Sequence, residues 1–220
     1  MNSPGFFVVL EGPEAAGKST LARALSARMR AGGVEPLLVH EPGGTPVAEA
    51  LRHELLDAAR DFTPAMELLY MVTARADLVS RVIRPALAAG NVVLSDRFDL
   101  STMAYQGGGR QLPLDQVCWI NGAATSGLVP DLTLVLDLDP VQAQARQLRA
   151  AKGLDRIERE SAEFHARVAA TYRAAAGPGV RHIAADATPG DVLAAAWQAI
   201  VAQRPTLFTT EIAATQEEAR

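Results

Sequence analysis

The chain holds one cysteine in 220 residues, Cys118. That excludes an internal disulfide framework and any multi-cysteine metal site, and it suits a reducing compartment. Set in an apolar stretch beside Trp119, the thiol reads as a small packing residue rather than a nucleophile. Basic charge is not in excess either, since 21 Lys and Arg stand against 25 Asp and Glu for a formal net charge of −4. This argues against duplex DNA or an anionic membrane surface as principal partner, because both demand surplus cations. Apolar runs fall short of the roughly 20 residues that cross a bilayer. The first residues also lack the basic segment and apolar core of a secretion signal, so a cytoplasmic protein is expected, with no nucleic-acid and no membrane partner. His40, His53, His165 and His182 have no metal-ligand spacing and read as surface or hydrogen-bonding groups. Internal repeats and linkers are missing as well. A chain of this size buries about 70% of its unfolded surface in a single α/β core. One domain is therefore expected over residues 1–205, with 206–220 as a disordered tail where apolar periodicity fades.

What is present starts with Gly12-Pro13-Glu14-Ala15-Ala16-Gly17-Lys18-Ser19, which fits G-x-x-x-x-G-K-S/T. The unbroken apolar run Phe6 to Leu10 precedes it and reads as a strand buried on both faces. Thr20 to Met29 follows with apolar residues at helical spacing. Strand, glycine loop and helix in that order aim backbone N–H groups and a helix N-terminus at a bound polyphosphate. Gly12, Pro13, Glu14, Ala15, Ala16, Gly17, Lys18, Ser19 and Thr20 are then the cradle for that polyphosphate. Lys18 reaches the β/γ-phosphates, and the Ser19 hydroxyl ligates Mg²⁺. A chance turn ahead of a helix is the duller alternative, and the flanking elements argue against it.

Further along, Pro36 to His40 reads as a strand running into the stiff polar turn Glu41-Pro42-Gly43-Gly44-Thr45. Pro46 to Ala59 is helical and carries Arg52. Pro64 to Ala89 supplies one or two helices with Tyr70, Met71 and Arg75. The buried strand Asn91 to Ser95 delivers Asp96-Arg97-Phe98 to the same sheet edge. A helix from about Leu100 is expected to be interrupted at Gly107-Gly108-Gly109-Arg110, and another spans Leu114 to Thr125. After the strand Leu132 to Asp137, a helix carries Arg146, Arg149 and Lys152, with Arg156 and Arg159 continuing the series. A helix to about Ala175, a strand over Val180 to Ala185 and a last helix over Asp191 to Ala202 complete the chain. Such alternation predicts an α/β protein whose five-stranded parallel sheet is flanked by helices on both faces.

Together these positions resemble the thymidylate kinases, the nucleoside-monophosphate kinases that phosphorylate dTMP. The likeness runs from about Phe6 to Ile200. It includes the phosphate loop, Glu41 to Thr45, Arg75, Asp96-Arg97-Phe98 with Ser101 to Gly107, and Leu154-Asp155-Arg156-Ile157-Glu158. The acidic-basic-aromatic triplet with its downstream Tyr-Gln-Gly is the most specific part. The resemblance implies the three-layer P-loop kinase fold, ATP and dTMP as substrates, Mg²⁺ with ATP, and a homodimer packed through helices. It also implies Asp96 as a metal ligand beside Ser19. Arg97 and Arg52 fork onto the acceptor phosphate, and Arg75 hydrogen-bonds the thymine edge with Thr102 and Gln106 nearby. Tyr105 lies against the deoxyribose, Glu14 approaches the 3′-hydroxyl, and Glu41 and Ser101 join the dTMP site. Arg146, Arg149, Lys152 and Arg156 form a lid over ATP, within about 146–160.

Two positions depart from the family pattern. Ala15 stands where some members carry an arginine in the loop, so the transition-state cation should come from the lid, with Arg149 or Arg156 the candidates. Met71 stands where a phenylalanine usually stacks on thymine. A polarizable thioether can lie on an aromatic face, or Tyr70 can turn inward.

The chemistry fits this division. The acceptor phosphate carries about −1.5 to −2 charges at neutral pH, so it needs no general base. Catalysis reduces to positioning and to cations that offset repulsion between two anions. Bland readings stand beside each role. Arg52 can be a solvated surface group, the lid charges a wet helix face, Asp137 a turn cap, and Trp119 and Trp197 core or interface residues. Two other functions are open at this point: a kinase for a different small acceptor, and a nucleotide-dependent switch without phosphotransfer to dTMP.

Overall fold

The computed structural model describes residues 5–149 and 155–208. Its strands are β1 (Phe6–Glu11), β2 (Leu37–His40), β3 (Val92–Asp96), β4 (Leu132–Asp137) and β5 (Val180–Ala184). They form one parallel sheet in the order β2-β3-β1-β4-β5. The helices are α1 (Lys18–Ala31), α2 (Pro46–Leu56), α3 (Pro64–Leu78), α4 (Arg84–Ala88), α5 (Asp99–Thr102), α6 (Leu114–Thr125), α7 (Pro140–Arg149), α8 (Ala162–Ala174) and α9 (Pro189–Gln203). The expected α/β alternation is therefore the architecture observed.

Alternation along β1 sets the layers. Phe6, Val8 and Leu10 face a core with Leu25 and Met29 of α1 and with Ala196, Trp197 and Ile200 of α9. Phe7 and Val9 face the opposite core, against Leu78, Val79, Ile83 and Phe98. Burying each such side chain contributes about 1.5–3 kcal/mol, which explains why both faces of this strand are apolar. A third cluster joins Val135 of β4 to Phe164, Val168 and Tyr172 of α8 and to Tyr105. Helix entry is set by side-chain caps: Thr45, Thr63, Ser161 and Thr188 each accept a backbone N–H from the first turn they precede.

The sheet order diverges at β1, with β3 on one side and β4 on the other. Open α/β sheets place ligands at such a switch point, beyond the carboxyl ends of the strands. Register brings the relevant ends level: Leu10 pairs with Asp96, and Asp96 with His40.

Two expectations change. Gly107 to Gly109 do not interrupt the helix. It widens into a π-helical segment, Met103–Gly109. A Cβ on Gly108 would meet Thr171 Oγ1 at 2.2 Å and one on Gly109 the Phe164 ring at 2.5 Å, so the bare glycines let α8 dock against this turn. A second π-helical turn, Val79–Ile83, joins α3 to α4. At the other end, Pro205–Phe208 is a 3₁₀ turn with Leu207 packed on the core, whereas the tail was expected to fray from residue 206; residues 209–220 lie outside the described residues.

Candidate active site

Backbone geometry builds the phosphate loop. Gly12 has φ 137°, and a Cβ there would lie 2.6 Å from the Leu136 carbonyl oxygen, so strand β4 and the loop approach only because the side chain is absent. Gly17 caps α1 in the left-handed region at φ 93°. Ala15 also has positive φ, 57°, a costly conformation for a residue with a Cβ. Lys18 is buried, and its Nζ donates to the carbonyls of Gly12 at 3.0 Å and Pro13 at 2.6 Å. Burial and the neighbouring Arg97 charge lower its pKa to about 8, against the pull of Glu14 and Asp96. It stays mostly cationic at neutral pH.

Ser19 Oγ donates to Asp96 Oδ2 at 2.5 Å. One hydroxyl and one carboxylate suit a small hard cation that takes its remaining ligands from phosphate oxygens and water, as Mg²⁺ does. Among the described residues no cluster of three or more His, Cys, Asp or Glu could hold a metal by itself. The donor set fits a metal that arrives with a nucleotide.

A cavity of about 430 Å³ opens beside the loop. Glu14, Lys18, Ser19 and Asp96 line it on the loop side, and Glu41, Arg52, Met71, Arg97, Ser101 and Tyr105 on the other. Arg97 is its centre. The residue sits at the end of β3 with φ 77°, held by its N–H to the Leu10 carbonyl at 2.9 Å, a strained backbone position of the kind kept at functional sites. Nη2 donates to Glu14 Oε1 at 2.6 Å and to the Tyr105 hydroxyl at 3.2 Å. Nη1 reaches Gly12 O, Ser101 Oγ and the Tyr172 hydroxyl at 3.0–3.2 Å. Burial would raise the Glu14 pKa, but the Arg97 and Lys18 charges outweigh it and hold that carboxyl at about 2. Arg52 Nη1 donates to the Pro42 carbonyl at 2.8 Å, which pins it to the turn after β2.

Other expected site residues are placed differently. Arg75, Thr102 and Gln106 are buried behind the cavity wall rather than on it. Arg75 is only 2% exposed. Its Nε donates to Glu41 Oε2 at 2.7 Å, its Nη1 to Thr102 Oγ1 and Asn121 Oδ1, and its Nη2 to the Phe98 carbonyl at 2.8 Å. Its direct partner is thus Glu41, which does reach the wall. Burial pushes Glu41 up to about 7 against the pull of Arg75, and its Oε1 has no partner.

The expected lid residues separate. Arg146 stays at the phosphate loop, with Nη2 on the Ala185 carbonyl at 2.9 Å and Nη1 3.5 Å from the Ala15 carbonyl. Arg156, expected beside it, lies instead next to the cavity wall formed by Asp155, Ile157 and Glu158. Its Nε bonds the Leu55 carbonyl at 2.9 Å and its Nη2 bonds Glu67 at 2.7 Å. Buried acceptors of that kind outcompete solvent for a guanidinium. Lys152 and the side chain of Arg149 lie outside the described residues.

Three residues at the site escaped the sequence reading. Glu11 is fully buried at the end of β1; its Oε1 accepts the N–H groups of Phe98 and Ser101, and its Oε2 accepts the Ser101 and Tyr172 hydroxyls. Burial pushes its pKa up, with Ser101 and Arg97 opposing. An acidic residue ending an apolar strand was the available signal, the same one that marks Asp96. Tyr172 and Glu67 gave no such signal, because each meets its partners only across the folded chain.

A family model described as thymidylate kinase matches residues 10–193. A thymidylate kinase of Pseudomonas fluorescens (strain SBW25) is 47% identical over 207 residues, covering 93% of this chain and 97% of the relative. Another, of Synechococcus sp. (strain JA-2-3B'a(2-13)), is 46% identical over 202 residues, covering 90% and 96%. Similarity of that extent reaches the phosphate loop, the cavity and the segment that holds Arg156, so the chain belongs to the thymidylate kinase family.

Proposed function

We infer that the chain transfers the γ-phosphoryl group of ATP to dTMP, giving dTDP and ADP for dTTP synthesis. The observation that carries this reading is the meeting of two anion sites in one cavity: the Lys18 and Ser19 loop on one wall, the Arg97 guanidinium on the other. The loop N–H groups and Lys18 hold the ATP phosphates. Ser19 and Asp96 would hold Mg²⁺, which would screen those phosphates and polarise the transferred group. Arg97 and Arg52 take the acceptor phosphate, which displaces Glu14 from Arg97 and frees that carboxylate for the sugar 3′-hydroxyl. Tyr105 packs on the deoxyribose and Met71 on the base. Arg75, fixed by Thr102, acts on the thymine edge through Glu41, its partner on the wall, and Gln106, next to the wall residue Tyr105, meets the N–H of the base. Arg146 stands beside the adenine, and Arg149 is the lid cation for the transition state. Arg156 is withdrawn from that role by its bonds to Leu55 and Glu67.

With ATP and Mg²⁺, purified protein is expected to convert dTMP far faster than dCMP, dGMP or thymidine. Equal turnover of all four removes the base assignment. ATP hydrolysis that dTMP never redirects into dTDP favours a nucleotide switch instead.

The partner is a second copy of the chain. Met66 and Leu69 of α3 and Leu114 and Trp119 of α6 are exposed on one side, Trp119 at 75%. An apolar face of this kind suits a helix-packed homodimer, to be checked by sedimentation of the wild type against Trp119→Glu. No helix among the described residues is long and apolar enough to cross a membrane. A cytoplasmic setting suits an ATP-dependent enzyme with one free cysteine.

A further inference from the structure

Glu67 opens α3 and is 0% exposed. A buried carboxylate must find its hydrogen bonds within the protein, and donors from two distant segments converge on this one. Gln106 Nε2 donates at 2.8 Å, Arg110 at 3.1 Å through Nε and 2.8 Å through Nη2, and Arg156 Nη2 at 2.7 Å. Both arginines are anchored again beyond it. Arg110 reaches Glu160 at 2.6 Å, and the Arg156 backbone N–H reaches the Leu56 carbonyl at 3.3 Å while its guanidinium stacks over Phe62. A single anion therefore ties α3 to the π-helical turn and to residues 155–160.

Two consequences follow for the cavity. Asp155, Ile157 and Glu158, which flank Arg156, line the acceptor wall, so the bond to Glu67 fixes where that wall stands. The second concerns an amide. Burial works to raise the Glu67 pKa, but hydrogen bonds from Arg110 and Gln106 overcome it and keep the group ionised. An ionised carboxylate only accepts. The Gln106 amide can meet it only through nitrogen, which leaves Oε1 as a buried acceptor, and that atom has no partner. Its neighbours Tyr105 and, one turn beyond Glu67 on α3, Met71 both stand on the cavity wall.

We propose that Glu67 is a positioning residue for the acceptor: through Arg156 it seats the 155–158 wall, and through Gln106 it commits an amide oxygen to accept a hydrogen bond from an N–H of the base. Thymine and uracil offer an N–H at ring position 3, whereas cytosine presents a lone pair there. The inference rests on the dTMP reading above.

Glu67→Gln is the test, because a neutral amide keeps the volume, weakens the hold on both arginines and lets the Gln106 amide turn either way. KM for dTMP is expected to rise about tenfold with KM for ATP changed less than about twofold, and the preference for dTMP over dCMP to fall about tenfold. Gln106→Leu isolates the amide and should lower the dTMP preference, and Arg156→Met isolates the wall and should raise KM for dTMP alone. These two variants decide the matter if Glu67→Gln fails to fold. An unmoved KM for dTMP, equal losses for both substrates, or an unmoved base preference in Gln106→Leu overturns the proposal. Wild-type protein that makes no dTDP overturns the dTMP reading as well, whereas wild-type turnover with indifferent variants removes Glu67 alone.

Discussion

The two walls of the cavity are made by different means. The phosphate loop is contiguous, and its geometry comes from main-chain atoms: the bare Gly12 against the Leu136 carbonyl, the left-handed Gly17, and Lys18 folded onto loop carbonyls. The other wall is assembled from side chains of the turn after β2, α2, α3, the β3 end, α5, the π-helical turn and residues 155–158, locked by ion pairs such as the buried Arg75 with Glu41 and the partly buried Arg97 with Glu14. Main-chain cradles tolerate most side-chain changes and fail when a glycine gains a Cβ. Charge networks fail when one partner leaves the other buried and unpaired. On the proposed reading the donor side recognises a group shared by all nucleoside triphosphates, and the acceptor side holds the selectivity.

The largest expected effect tests the cradle. Lys18→Ala should lower kcat by about 10²–10³-fold, the scale seen when one transition-state donor is removed, with the fold retained by circular dichroism. Retained turnover would mean that main-chain N–H groups suffice. Gly12→Ala should abolish ATP binding by calorimetry, since the added Cβ must push the loop off β4.

Next comes the acceptor wall. Arg97→Ala should lower kcat/KM for dTMP by about 100-fold, the cost of losing a charge-assisted anion contact, while ATP binding survives. Equal loss of both substrates would erase the division between the walls. Tyr172→Phe sharpens it further, because it removes one oxygen that contacts Arg97, Ser101 and Glu11 and leaves the ring buried. A change of about 5-fold in KM for dTMP is expected, in line with one hydrogen bond of about 1 kcal/mol.

The same contrast explains what was legible from sequence. Parallel strands and the phosphate loop are local patterns, and Phe6 to Leu10 followed by Gly12 and Lys18 announces both. Asp96 and Arg97 were legible because they end a buried strand. Arg156 was expected beside Arg146 in the ATP lid, and only the folded chain reveals the Leu55 carbonyl and Glu67 that hold it. Glu67 itself looks like an ordinary first-turn acid of a helix. Gly107 to Gly109 looked like a break because glycine usually is one, and the reason for Gly108 and Gly109 lies in Thr171 and Phe164 on another helix.

The smallest effect lies at the sheet edge away from both walls and serves as the control. His182 Nδ1 sits 2.9 Å from Asp137 Oδ2 and Nε2 sits 2.8 Å from the Ala175 carbonyl. Both partners only accept, so the ring satisfies both as an imidazolium that ties β5 to β4 and to the end of α8. The Ala175 carbonyl first, and then Asp137, raise its pKa above the ordinary value against partial burial. The bond's contribution is then complete below about pH 6.5, the unfolded value. It is lost as pH climbs through the higher folded value. With the ring one-third exposed, solvent screening keeps the gain below about 1 kcal/mol. His182→Gln should therefore lower Tm by a few degrees at pH 6 and by less at pH 9, without moving KM for either substrate. A pH-independent loss would mean that the ring acts through packing alone, and a changed KM would mean that the sheet edge is coupled to the walls.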